Sequence, residues 1–293
     1  MTRHKKVSIV IVNYKDPKDT LELLDSLVHV SYPNFETIVI DNGTKIDRTD
    51  LYQTRLENVK VFKLPENLGF AGGVNSGIDR ATGHFILLLN NDTTVEPDFI
   101  GPMVDVFDQN KEVGMVSPKI LFFDPSNKLQ YAGAKSISTW FGRGRKIGFG
   151  KMDGPKYDQS GETGLCNGAC LMIRKEVVED IGLLSEDYFM YYEEHDFCLR
   201  AKRYGWKCYY AATSRIYHKQ SMSIGKENPI KNYYLSRNRL LFMRRFSGGF
   251  SLLFFYMYYT LFQLPISIAL HLTKGQVISV KYLVKGFVWN FKN

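Results

Sequence analysis

Short runs of β-branched and aliphatic residues alternate with helical periodicities along the first two-thirds of the chain. Val7-Ser-Ile-Val-Ile-Val12 is a strand-like run ending at Asn13-Tyr14, and Asp19 to Val28 follows with Leu21, Leu24, Leu27 and Val28 at helical spacing. Phe35 to Ile40 repeats the strand pattern and stops at Asp41-Asn42-Gly43, and Val59 to Leu64 gives a third strand. The five apolar residues from Phe85, preceded by Gly83 and broken by Asn90-Asn91-Asp92, read as a buried parallel strand that delivers polar side chains at its carboxyl end. Pro97 opens a helix to about Gln109, and Val113 to Val116 is a further strand. Cys166 to Arg174 returns to a buried strand, followed by helices over Lys175 to Ile181 and Glu193 to Tyr204 and by a short strand, Cys208 to Ala211. This alternation predicts a right-handed, largely parallel α/β sheet. Asn127 to Gly164 has no clear period and predicts hairpins and a mobile loop, which at that length usually serves function.

A chain of 293 residues, 44% hydrophobic, buries one large core or two modest ones, and a catalytic domain with an appendage is expected. No apolar run separates Met1 to Lys6 from the first strand, so a secretory signal is not expected and the active part should be cytosolic. Cys166, Cys170, Cys198 and Cys208 lack paired zinc spacing and read as reduced core residues.

The formal charge of +8 hides a division. From residue 201 onward 15 Lys and Arg face the single acid Glu227, whereas the first 200 residues carry 23 basic against 29 acidic side chains. The C-terminal third therefore suits phosphate, nucleic acid or an anionic membrane. Phe250 to Leu272 has 23 residues without a formal charge, about 34 Å of helix, which is enough to span a bilayer. Against a span, Thr260, Gln263, Ser267, His271 and Lys274 form a polar stripe and Pro265 interrupts the middle. Lys274, Lys281, Lys285 and Lys292 then share one helical face, a pattern suited to helices lying in the cytoplasmic membrane interface. A span and a core or homo-oligomer contact stay open. Nucleic acid is disfavoured, because the aromatics form long apolar runs rather than isolated stacking platforms. Arg237, Arg239, Arg244 and Arg245 just before the tail suit anionic lipid or an acceptor's diphosphate.

Three stretches carry candidate chemistry. Asn91-Asp92-Thr93 fits a turn and helix N-cap, and Asp92 equally fits a hard divalent cation at the ligand-collecting end of a sheet. The loop Pro65 to Asn75 has three glycines before a helix and fits either a tight turn or close approach to a phosphate or ribose; it is neither a dinucleotide fingerprint nor a P-loop. Glu193, Glu194, His195 and Asp196 open a helix among aromatics, where acids either cap the dipole or, partly desolvated, serve as general bases. His218 is either an ordinary satisfied histidine or a metal ligand.

Val7-Ser-Ile-Val-Ile-Val-Asn-Tyr14, Ile40-Asp41-Asn42, Glu66-Asn-Leu-Gly-Phe-Ala-Gly-Gly-Val-Asn75, Leu89-Asn-Asn-Asp92, Tyr192-Glu-Glu-His-Asp196 and Ile216-Tyr-His218, in this order, closely resemble family 2 glycosyltransferases of the GT-A fold. The likeness covers roughly residues 5 to 245 and is greatest to bacterial rhamnosyltransferases and other enzymes of surface polysaccharide assembly. It implies a Rossmann-like, mainly parallel central sheet flanked by helices. The catalytic domain would be 1–245, with a nucleotide-sugar half at about 1–118 and an acceptor half at about 119–245, and 246–293 would be a helical membrane-associating appendage.

The resemblance also implies roles. Asp41 would sit by the base or ribose, with Asn13 and Asn91 also in the donor site, while Asn67, Gly69, Gly72 and Asn75 would line nucleotide and sugar. Asp92 would hold Mg²⁺ or Mn²⁺, with His218 as a further metal or diphosphate contact; Asn90 stands where many relatives carry a first aspartate. Glu194 would be the base, supported by Glu193 and Asp196, and Arg237 would approach the diphosphate. The implied reaction is inverting, metal-dependent transfer of a sugar from a nucleoside-diphosphate sugar, dTDP-rhamnose ahead of UDP-hexoses, to a saccharide or lipid-linked saccharide. Two other readings remain. A sugar nucleotidyltransferase would carry a Gly-rich basic signature after the first strand, where this chain has Asn13-Tyr14-Lys15-Asp16; a non-catalytic membrane scaffold would keep the fold without turnover.

Overall fold

The computed structural model describes residues 4–56, 59–219 and 228–292. Strands β1 (Val7–Asn13), β2 (Phe35–Asn42) and β3 (Val59–Leu64) run parallel, connected through α1 (Lys18–Leu27) and a short α2 (Thr49–Gln53). Helix α3 (Gly69–Ile78) then leads to β4 (Phe85–Leu89), parallel to β1 on its other side. Three of these strands end in polar residues because the hydrophobic run stops where the sheet does. Asn13 lies in register with Asp41, and Asn90 follows β4 directly.

Beyond β4 come β5 (Thr93–Val95), α4 (Ile100–Gln109), β6 (Val113–Phe122), β7 (Leu129–Tyr131), the hairpin of β8 (Ala134–Lys135) and β9 (Arg145–Lys146), β10 (Gly161–Thr163) and β11 (Cys170–Arg174). Then follow α5 (Lys175–Ile181), α6 (Glu193–Arg203) and β12 (Lys207–His218). The strand order is β10-β12-β6-β11-β4-β1-β2-β3. Parallel pairing holds for β1 to β4 and for β6 with β12, but β11 runs antiparallel to both its neighbours, so the sheet is mixed in its second half.

Both β6 and β12 run longer than their apolar stretches foretell, because their polar residues are satisfied inside. Lys119, fully buried on β6, is ion-paired with Asp153 at 2.8 Å and with Asp158, which also pins the 153–158 segment to the sheet. On β12, Ser214 donates to Phe99 O at 2.6 Å and a register shift lies between Ala211 and Arg215, after which the strand continues to His218. The stretch 127–164, expected as hairpins and a mobile loop, holds β7 to β10. All four cysteines are buried free thiols.

Glu36 on β2 is 7% exposed and takes hydrogen bonds from Ser8, Thr82 and Lys60. Burial alone would raise its pKa, but the bonds from Lys60, Ser8 and Thr82 outweigh it and hold the carboxyl far below its usual range. Depression of a carboxyl pKa stabilises the fold above the unfolded-state value near 4.3 and is lost as pH falls. Glu36→Gln should therefore lower Tm at pH 7 and flatten its decline between about pH 5 and 3; a parallel pair of Tm profiles would exclude this role.

The C-terminal third builds a second core. Helix α7 (Pro229–Phe246) packs against α10 (Val277–Trp289), and α8 (Gly249–Tyr258) leads through a π-helical turn, Tyr259–Gln263, into α9 (Leu264–Thr273). Pro265 has no N–H to continue the α-helical ladder, which accounts for the local widening of the helix. Phe255, Tyr259, Leu264 and Leu283 bury against Leu240, Phe242 and Met243 of α7 and against Tyr188 and Tyr192 of the main domain. A Cβ at Gly286 would lie 2.3 Å from Tyr233 O, so this helix pair meets only because that position is bare. The expected boundary at 245/246 thus falls at the end of a helix that both sides share. Outward, Phe250, Leu253, Met257, Leu261, Phe262, Ile266 and Leu270 are exposed. Gly249–Thr273 is 25 residues long and apolar, enough to cross a membrane by length and composition.

Candidate active site

A cavity of about 300 Å³ opens at the carboxyl ends of β1, β2 and β4. Its lining includes Asn42, Asn67 and Gly69, Asn90 to Asp92 with His218, and Tyr191, Glu193 and Glu194. Two elements far apart in sequence meet at its floor. β5 pairs antiparallel with the end of β12, setting Thr93 against His218 and bringing His218 Nε2 to 3.0 Å from Asp92 Oδ1.

The far nitrogen of that histidine is held by Gln130. His218 Nδ1 lies 2.8 Å from Gln130 Oε1, and Gln130 Nε2 donates to His218 O at 2.7 Å. Both ring nitrogens thus face oxygens; with Nδ1–H given to Gln130, the Nε2 lone pair would be free for a cation shared with Asp92. Asn90 Oδ1, buried without a hydrogen-bond partner, adds a neutral oxygen beside them in the cavity wall. Among the described residues no group of three or more His, Cys, Asp or Glu gathers as a metal cage. One carboxylate, one imidazole and one amide oxygen fit a Mg²⁺ or Mn²⁺ that takes its remaining ligands from water and phosphate.

Across the cavity, Tyr192 caps α6 and the next two residues are the acids. Glu193 is 5% exposed with Oε2 unpartnered, and burial together with the charge of Glu194 pushes its carboxyl well above the usual range. Glu194 goes the other way. Burial opposes its ionisation, but His195, with Nδ1 at 3.2 Å, and Lys146 outweigh that and hold it low. The two carboxyls are therefore pushed apart, Glu193 toward its neutral form and Glu194 toward its ionised one. Burial and the carboxylates of Glu193, Asp92 and Glu194 push the Tyr191 phenol up to about 12, so its O–H persists at the cavity wall.

The structure sorts the other expected residues. Asn67 and Gly69 line the cavity, and Asn67 Oδ1 accepts from Asn42 Nδ2 at 3.1 Å. Asn13 and Asp41 lie beneath, in a buried chain: Asn91 Nδ2 donates to Thr20 Oγ1, Thr20 to Asn13 Oδ1, and Asn13 Nδ2 to Asp41 Oδ1. A shallower depression beside it is lined by Tyr14, Asp16, Thr44 and Arg48. Gly72 and Asn75 do not line the cavity; Asn75 braces the backbone of Leu184 and the side chain of Glu186. Gly69 is needed for contact as well as for access, since a Cβ there would lie 2.5 Å from Phe189 O.

Beyond Gly72 and Asn75, three more expectations are corrected. Asp196 is not at the cavity: it is buried between Tyr188 Oη, Arg200 Nε at 2.6 Å and Arg245. Arg237 does not face it either, but donates to Asp187 O at 2.5 Å and stacks on Trp289. Arg239 is equally internal, bonded to Phe141 O and lying over Phe255 and Tyr259. The cations at the cavity are instead Lys146 from β9 and Lys231 from α7. Both went unremarked in the sequence, as did Gln130 and Tyr191, because each lies on a segment whose pattern says nothing of the direction it faces.

A sequence profile of glycosyl transferase family 2 matches residues 8–182. The chain is 31% identical over 204 residues to the low-salt glycan biosynthesis hexosyltransferase Agl10 of Haloferax volcanii, covering 67% of this chain and 62% of that protein, so it spans less than two-thirds of that relative's length. It is 23% identical over 245 residues to the N-acetylglucosaminyl-diphospho-decaprenol L-rhamnosyltransferase of Mycobacterium tuberculosis, covering 75% of this chain and 78% of the relative. The mannosyltransferase PcManGT of Pyrobaculum calidifontis, solved with GDP-Man and Mn²⁺, superposes with a TM-score of 0.59 at 14% identity over 99% of this chain and 88% of that one. The fold is GT-A, and the chain belongs to glycosyl transferase family 2.

Proposed function

We propose that this protein transfers a hexose, rhamnose first among the candidates, from a nucleoside-diphosphate sugar to a saccharide or lipid-linked saccharide acceptor with inversion at the anomeric carbon, in the synthesis of a cell-surface polysaccharide. One observation carries the reading: the Glu193–Glu194 pair and the Asp92–His218 pair line a single cavity. The similarity to rhamnosyl- and hexosyltransferases supports the donor and acceptor class.

In this mechanism Glu194 takes the proton of the acceptor hydroxyl as its oxygen attacks the anomeric carbon on the side opposite the leaving diphosphate. Glu193, protonated, donates a hydrogen bond rather than repelling the nucleophile. The Tyr191 hydroxyl and the Lys146 and Lys231 ammonium groups offer donors to the diphosphate and sugar. Asp92, His218 and Asn90 would hold a Mg²⁺ or Mn²⁺, which when bound neutralises charge on the departing diphosphate. The depression at Tyr14 and Thr44, over the Asn13–Asp41 chain, is the seat for the nucleoside. A panel of nucleotide sugars, each with Mn²⁺, tests this: one of them should raise Tm and then be consumed only with a saccharide acceptor. Pyrophosphorolysis of the nucleotide sugar instead would make the protein a nucleotidyltransferase, and no stabilisation by any would leave a scaffold.

The same reading places the enzyme on the cytoplasmic membrane face. The outward stripe of α8 and α9 is apolar, the opposite side of that helix is packed on α7, and Lys274, Lys281, Lys285 and Lys292 are exposed nearby, which suits an interfacial helix over anionic lipid. The full chain should sediment with phosphatidylglycerol vesicles, release in high salt or alkaline carbonate, and lose binding in Leu261→Glu/Phe262→Glu. Resistance to carbonate would mean a span, and indifference to vesicles would remove the membrane from the account.

A further inference from the structure

The backbone that presents the two glutamates is folded against its own preferences. Phe189 (φ 63°), Tyr191 (φ 66°) and Tyr192 (φ 80°) are all left-handed, and none is the Gly, Asn or Asp that tolerates this region. Met190 N donates to Tyr188 O at 2.7 Å across Phe189, whose ψ is −54°, which closes a γ-turn of the strained hand. Such a conformation persists only where surrounding contacts over-determine it. One face is fixed by α3, whose Phe70 N donates to Phe189 O at 2.6 Å.

The other face is fixed by one side chain of α7. Asn238 is wholly buried, and its Nδ2 lies 2.9 Å from Tyr188 O, 2.7 Å from Met190 O and 2.8 Å from Tyr191 O. Its Oδ1 accepts from Arg237 Nη1 at 3.2 Å, which sets the orientation of the amide. Two N–H groups thus serve three converging carbonyls, a convergence that the left-handed residues create. Tyr192, the last of them, is the cap of α6, so the peptide planes at 190–192 set the direction in which the helix leaves and where Glu193 and Glu194 point.

We infer that Asn238 is a positioning residue for catalysis: it holds the Tyr188–Tyr192 turn in its left-handed form and thereby aims the glutamate pair at the cavity. The inference rests on the reading of Glu194 as the base, but its first readout does not. In the full-length protein, Asn238→Ala should speed amide hydrogen exchange across 187–196 by about tenfold or more while the strands of the sheet keep their protection. With the nucleotide sugar selected above, kcat should fall by about 10- to 100-fold, with donor KM and the stabilisation by UDP or dTDP with Mn²⁺ within about twofold. Asn238→Ser, which keeps one donor, should fall between, and serves if the alanine variant does not fold. Unchanged exchange at 187–196, or faster exchange spread evenly over the chain, overturns the inference. Local loosening with full kcat overturns its catalytic part. An active Glu194→Gln with a loosened Asn238→Ala would instead remove the base and leave the clamp.

Discussion

Replacing Glu194 by Gln should slow transfer by about a thousandfold or more, within the range a general base supplies, while nucleotide-sugar binding with Mn²⁺ stays within about twofold. The substitution keeps the shape of the side chain and removes only its ability to take a proton. Glu193→Gln is the internal control. Burial and its neighbour push the Glu193 carboxyl toward its neutral form, and a carboxamide reproduces a neutral donor, so kcat should fall by less than about tenfold. The pH profile carries the same sign. In the proposed mechanism Glu194 acts ionised, and its carboxyl is held below the usual range, so activity should persist as pH falls through that range and be lost only beneath it. Equal losses from the two substitutions, or a base limb near the raised pKa of Glu193, would reverse the assignment.

The second large effect belongs to the cavity floor. Asp92→Ala should abolish Mn²⁺-dependent turnover and also the calorimetric signal of Mn²⁺ binding in the presence of nucleoside diphosphate, because Asp92 is the carboxylate of the Asn90-Asn91-Asp92 triplet that faces His218. Asn90→Ala should be milder. It removes a neutral oxygen that is buried without a partner, so a weakening of Mn²⁺ by about 10-fold, curable by added metal, is expected. Losses of equal size, neither cured by metal, would mean that Asn90 serves the site by shaping it.

The sequence announced the parallel half of the sheet because each of those strands is a pure apolar run stopped by polar residues, and the stops are where the cavity lies. Pattern failed where burial is bought by pairing: Lys119 and Ser214 break the apolar runs of β6 and β12 yet sit inside, ion-paired or hydrogen-bonded. For the site, residues adjacent in sequence were legible. Asn90 to Asp92 and Glu193 to Glu194 each arrive as a unit on one wall. Partners brought by remote strands and helices were not: Gln130 lies 88 residues from His218, and Lys146 and Lys231 come from a hairpin and a helix. Arginine spacing misled for a related reason. Arg237 and Arg239 have the composition of a phosphate-binding motif, but α7 turns them toward the backbone carbonyls of Asp187 and Phe141.

The second core imposes two different rules on the two sides of one helix. On the inner side of Gly249–Thr273, Phe255, Tyr259 and Leu264 meet the helix that carries Asn238, so their shapes are bound to the turn below Glu193 and Glu194. On the outer side, Leu253, Met257, Leu261 and Ile266 are each more than half exposed, so their shape is less constrained than their hydropathy. Divergence among descendants of this chain should then run in opposite senses around the helix axis, with side-chain volume preserved inward and only hydropathy preserved outward. Loss of the inner set would be inherited as an impaired enzyme.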